Sequence, residues 1–171
     1  MNFKILSLLS FILVINSCKQ SPKESDNSNI NHSAYELTEA DVSKLKYTEF
    51  LLDKKTEETI LSWNEYTQIK DIILNVKKGD LSFFKDNKNI ISTLLKDFLR
   101  NIPEKMDTAP VKARITAFET KFYKLESFSN LTTTSKEELL NTIKELLISY
   151  SNLNLQMNKK TEADKNVFER P

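Results

Sequence analysis

Pro110-Val111-Lys112-Ala113-Arg114-Ile115-Thr116-Ala117-Phe118-Glu119-Thr120-Lys121-Phe122-Tyr123-Lys124-Leu125 places apolar residues at 111, 115, 118, 122 and 125. These steps of four, three, four and three mark one face of an α-helix, in the a/d rhythm of a helix packed against others. Pro110 suits the first turn, where the N–H it lacks has no intrahelical partner. The flanking sequence extends this helical reading in both directions.

Downstream, Ser135 followed three residues later by Glu138 is a capping box that opens a further helix. That helix carries Leu139, Ile143, Leu146, Leu147, Tyr150, Leu153 and Met157 inward, then turns polar through Asn158 to Asn166. Upstream, a polar linker from Pro103 to Ala109 precedes the Pro110 helix. Before the linker, Asp80 caps a segment with Leu81, Phe84, Ile91, Leu94, Leu95, Phe98 and Ile102, which stops at Pro103. Earlier still, Thr38 with Asp41 reads as an N-cap with an acidic first turn, and Gly79 as a C-terminal stop. Between them Val42, Leu45, Leu52, Ile60, Trp63, Tyr66, Ile69, Ile73 and Val76 predict one long helix, or two if Asp53 to Glu58 breaks it. With one glycine and few prolines, the turn chemistry of sheets is missing.

The expectation is an all-α domain over residues 37–171, an antiparallel up-down four-helix bundle with two long and two shorter helices. The long pair spans about 40 and about 33 residues and the short pair about 20 each, at 1.5 Å per residue. Their overhang predicts a two-helix stalk in which Val42, Leu45 and Leu52 meet Met157, Val167 and Phe168. That end would face a membrane, and the end with Gly79 and residues 130–135 would face away.

Residues 19–35 are rich in Ser, Asn, Lys, Glu and Pro, too polar to offset the entropy of ordering, and read as a disordered tether. Ahead of them a basic start, an apolar run from Ile5 to Ile15, and Ser17-Cys18 have the layout of a secretory signal. A permanent spanning anchor is disfavoured, since it needs ~20 apolar residues and this run has about half. With Cys18 at the break the segment resembles a bacterial lipoprotein signal. The resemblance implies cleavage between Ser17 and Cys18, acylation of Cys18, removal of residues 1–17 and a lipidated tether over 18–36. Several acyl chains on one residue give stable anchoring.

Charge and chemistry are mostly exclusions. Removing residues 1–17 removes Lys4 alone among charged residues, leaving 24 basic against 24 acidic. That balance argues against a nucleic-acid role. Cys18 is the only cysteine and His32, in the tether, the only histidine, so an intramolecular disulfide, a Ser-His triad, a zinc cluster and a Glu-x-x-His di-iron site are all excluded. No cofactor, no metal and no enzymatic activity are expected. Glu39 with Asp41, Glu57-Glu58 and Glu137-Glu138 read as first-turn or solvated carboxylates rather than an acid/base pair.

Two candidate partner-binding features stand out. Arg114 lies one position beside the seam, and arginine suits bidentate capture of a carboxylate or phosphate. Its blander reading is a stem along the core edge with its head in water. Asn152, Asn154, Gln156 and Asn158 crowd one stretch, with Asn152/Gln156 and Asn154/Asn158 each at i, i+4. They read either as amides bonded to neighbouring helices or as a polar binding strip. Trp63, Tyr66, Phe118 and Phe122 form a candidate apolar pocket, or plain core.

Pro110-Val111-Lys112-Ala113-Arg114, Phe118-Glu119-Thr120-Lys121 and Ser151-Asn152-Leu153-Asn154 through Lys159 resemble the C-terminal two-thirds of uncharacterised small lipoproteins of Bacteroidota. The resemblance implies an address and no activity: an outer-membrane lipoprotein, facing the periplasm because Lys19 to Glu24 lacks a consistently acidic stretch. The function expected is a non-catalytic binding or scaffold module with an envelope protein partner. The alternative is a small hydrophobic-ligand or envelope-stress module. Self-association through an a/d seam is a further expectation.

Overall fold

The computed structural model describes residues 37–168, with side chains through Lys165. Ser17, Cys18, His32, the tether, Val167 and Phe168 lie outside the described residues or side chains. Among the described residues the chain is all-helical, with no strand. Six α-helices follow in order: α1 Glu39–Ser43, α2 Lys54–Thr59, α3 Asn64–Lys77, α4 Lys88–Arg100, α5 Ala109–Asn130 and α6 Lys136–Phe168. Short 3-10 turns lie at Ser82–Phe84 and Glu104–Met106.

The pair α5/α6 makes the most extensive helix contact. On α5, Val111, Ile115, Phe118, Phe122 and Leu125 are fully buried. Facing them on α6 are Ile143, Leu146, Leu147, Leu153 and Met157, also buried. At the turn between the two, Ser135 Oγ accepts from Glu138 N at 3.2 Å while Glu138 Oε2 accepts from Ser135 N at 2.9 Å, a reciprocal capping box. The Thr38–Asp41 pair does the same for α1. Gly79 ends α3 in a Schellman motif: its N–H reaches Val76 O at 3.0 Å and that of Asp80 reaches Asn75 O at 3.0 Å. A left-handed φ of 82° permits this, and a Cβ there would stand 2.7 Å from the Leu37 carbonyl oxygen.

The expected long first helix does not form. The chain leaves α1 at Ser43, runs non-helically through residues 44–53, makes the short α2, and re-enters helix only at Asn64. Between Leu45 and Leu52 the 3.6-residue apolar rhythm lapses, and hydrogen bonds from α6 capture the backbone there instead. The second segment is likewise shorter than expected. It breaks at Asp86, whose φ is 57°, and only Lys88–Arg100 is α-helical. Asn130 holds this break, donating to Phe84 O at 2.8 Å and accepting from Asp86 N at 3.1 Å. The 103–109 linker is not wholly polar in use, because Met106 is buried.

The stalk is overturned by where α1 sits. Leu37 touches Gly79, and Asp41 pairs with Lys136 at 2.7 Å, at the first residue of α6. The described chain therefore starts at the end holding Gly79 and the α5–α6 turn, the end expected to face away from the membrane.

Candidate functional site

From that end, residues 44–53 run alongside α6 in the same direction as the helix. Ser151 Oγ accepts from Phe50 N at 2.6 Å and donates to Thr48 O at 2.9 Å. Asn154 Nδ2 donates to Phe50 O at 3.1 Å. Asn158 Nδ2 donates to Leu51 O at 2.8 Å, and its Oδ1 accepts from Asp53 N at 3.0 Å. Five residues of strap, from Thr48 to Asp53, thus run beside seven of helix, roughly 10.5 Å at 1.5 Å per residue.

Ser151, Asn154, Asn158 and Thr161 recur at steps of three, four and three, so the helix repeat that elsewhere carries apolar side chains here carries a polar seam. Thr161 completes it by accepting from Thr56 Oγ1 at 2.8 Å, which ties α2 to the same face. Of the four amides singled out, Asn154 and Asn158 belong to this seam. Asn152 and Gln156 lie off it, half-buried. Ser151 and Thr161 escaped the sequence reading because its pairing by i, i+4 set amides against amides. The three-four step from Ser151 was the available signal.

Behind the seam lies a buried polar chain. Tyr150 donates to the Tyr66 hydroxyl at 2.9 Å, and Tyr66 donates to Asn154 Oδ1 at 2.9 Å. Burial pushes both phenols above their ordinary range. Asn154 is 3% exposed, and each of its polar atoms has a partner, Tyr66 on Oδ1 and Phe50 on Nδ2.

The candidate pocket aromatics are packed on one another. Trp63 stacks on Phe98 at 4.4 Å between ring centroids and donates its indole N–H to Phe98 O at 3.1 Å. Phe118 meets Phe122 at 5.4 Å, Tyr150 at 5.9 Å and Phe98 at 6.3 Å, closing a continuous aromatic core. The open spaces lie elsewhere. A groove of 390 Å³ between α3 and α4 is bordered by Glu65, Gln68, Ile90, Thr93, Leu94 and Asp97. A second, of 320 Å³, lies beside α1 and the strap, bordered by Val42, Leu45, Tyr47, Glu49, Lys77 and Leu147, with Lys77 paired to Glu49.

Arg114 is exposed on α5 and makes no ion pair among the described residues. The seam and Arg114 are not brought together: α5 meets α6 through its apolar face, and Arg114 lies off that face. Among the described residues no group of three or more His, Cys, Asp or Glu side chains is placed to hold a metal ion. No described helix is long and apolar enough to cross a membrane. No protein family, curated protein or solved structure matches this chain.

Proposed function

We propose that this chain is a lipid-anchored, non-catalytic interaction or scaffold module of the bacterial cell envelope, tethered through Cys18 to the outer membrane on its periplasmic side. Its architecture in this reading is an antiparallel up-down bundle of α3 to α6, with the strap in place of a long first helix. The observation that carries the binding reading is the arrangement of its apolar residues. The aromatics that would line an internal ligand site are spent on one another, while Leu51 and Leu61 stand 72% and 82% exposed at the end remote from Leu37. In this reading these two leucines, the most exposed of the described large apolar side chains, serve contact with a partner rather than enclosure of a small molecule.

In-cell cross-linking of the tagged, full-length protein tests this reading, with Cys18→Ala as the mislocalised control. A specific envelope protein captured by the wild type, and lost with Cys18→Ala or with Leu51→Ser/Leu61→Ser, supports the module. The opposite result is no specific capture together with a Trp63 emission shift on adding hydrophobic ligands, which favours the ligand-binding alternative.

A further inference from the structure

The packing of α5 on α6 follows a seven-residue repeat, so flanking positions one heptad apart on each helix meet in the same way. At one such meeting Lys121 and Lys124 of α5 both hold Glu145 of α6, at 3.0 and 2.9 Å. Phe118 against Tyr150, with ring centroids 5.9 Å apart, continues the same antiparallel register toward Arg114. Seven residues back on α5 and seven onward on α6, Lys121 becomes Arg114, Lys124 becomes Ala117 and Glu145 becomes Asn152. One cation is kept, and an amide stands where the carboxylate was. Lys160 farther along this flank is also satisfied, by Asp164, whereas exposed Arg114 has no ion pair among the described residues. Asn152 and Gln156, one turn apart and half-buried, make no side-chain hydrogen bond to the described residues, unlike their seam neighbours Asn154 and Asn158.

We propose that Arg114, with Asn152 and Gln156 beside it, binds the carboxylate of an aspartate or glutamate carried by a protein partner. The partner supplies from outside the group that Glu145 supplies from within one heptad away. The proposal rests on the interaction-module reading and gives the partner's chemistry. One guanidinium flanked by two neutral amides matches a single negative charge, and its planar fork matches a carboxylate. A phosphate, at about −1.5 to −2 charges at neutral pH, would be left under-neutralised there. An exposed arginine–carboxylate pair is too weak to retain a free small acid, so the group arrives on a larger partner that makes further contacts. Apolar surface for those contacts adjoins the site. Ile148, 37% exposed, and half-buried Leu155 lie about one turn to either side of Asn152 on α6. Asn158, three residues beyond Leu155, holds the carbonyl of exposed Leu51.

The test titrates the full-length, ¹⁵N-labelled protein in neutral detergent with the peptide acetyl-Leu-Glu-Leu-amide, and with its glutamine and phosphoserine analogues. The glutamate peptide should shift the Arg114 Nε–H and the Asn152 and Gln156 side-chain amide signals together and to saturation, and the glutamine peptide should not. Arg114→Gln should abolish the response. Asn152→Glu should abolish it as well, because a carboxylate placed there pairs with Arg114 and fills the site from within. Lys96→Gln, which removes an exposed charge on α4, should leave the response unchanged. No saturable shift, an equal shift with the glutamine peptide, or an undiminished response in Asn152→Glu overturns the proposal. A stronger response to the phosphoserine peptide than to the glutamate peptide overturns the assignment to a carboxylate. In-cell cross-linking separates this site from the module reading: capture that is lost with Leu51→Ser/Leu61→Ser but undiminished by Arg114→Gln keeps the module and removes the site.

Discussion

Tyr66 donates its phenolic proton to Asn154 Oδ1 at 2.9 Å, and this fixes which way the Asn154 amide faces. With Oδ1 occupied, only the Nδ2 end is free to meet the strap, and it bonds Phe50 O. A tyrosine in the aromatic core thus determines the polarity of a seam that grips a segment about 100 residues away in sequence.

Tyr66→Phe removes the donor to Asn154 Oδ1 and the acceptor of the Tyr150 hydroxyl, and is expected to cost about 1–3 kcal/mol. Tyr150→Phe leaves the Tyr66–Asn154 bond intact and should cost less. Urea unfolding of both variants checks the order, and an equal or reversed cost would break the polar chain as described.

The same phenols set an alkaline limit. Their folded pKa values lie above the unfolded value of ~10, so their contribution is fully present below pH 10 and is lost as pH rises beyond it. Absorbance of the phenolates should therefore appear together with loss of helical circular dichroism, and Tyr66→Phe/Tyr150→Phe should uncouple the two.

Asn158→Ala removes the bonds to Leu51 O and Asp53 N, and hydrogen exchange at the Asp53 amide should quicken by roughly fivefold to tenfold. Asn152→Ala, off the seam, should leave that amide unchanged. Equal acceleration in both variants would remove the seam as the cause.

Gly79→Ala should destabilise by at least ~1 kcal/mol from left-handed backbone alone. The new methyl also meets the Leu37 carbonyl oxygen at 2.7 Å, so α1 should loosen as well. Asp86→Gly, at φ 57°, is expected to be neutral or stabilising, within about 1 kcal/mol. Thermal unfolding should show Gly79→Ala destabilised and Asp86→Gly not, if backbone conformation governs both sites.

Toward acid, Lys124 and Lys121 hold the Glu145 carboxyl below its ordinary range. A depressed folded value contributes stability above the unfolded pKa of ~4.3, which is lost as pH falls through the folded one. The pair is more than a third exposed, so Glu145→Gln should cost only ~0.2–1 kcal/mol at pH 7. The difference from wild type should shrink as pH falls through the folded value.

Local signals read correctly wherever local chemistry decides the outcome. Pro110, the 111–125 seam, the Ser135–Glu138 box and the Gly79 stop each act within a turn or two of helix, and each stands as its spacing implied. The strap was not legible, because Tyr47 to Leu51 takes its conformation from Ser151, Asn154 and Asn158, far along the chain. Met106 was hidden in a polar stretch for the same reason: its burial depends on the helices around it. The amides of α6 were visible as an oddity of composition, but their occupant was not.

The hydrogen bonds between strap and seam join residues 101 to 107 positions apart. Synthesis delivers residues 44–53 early and their binding face last, so the strap waits without its partners until the chain is nearly complete. Closing so long a loop should also come after the local α5–α6 hairpin has formed. The first part of the domain to emerge is thus the last to find its place.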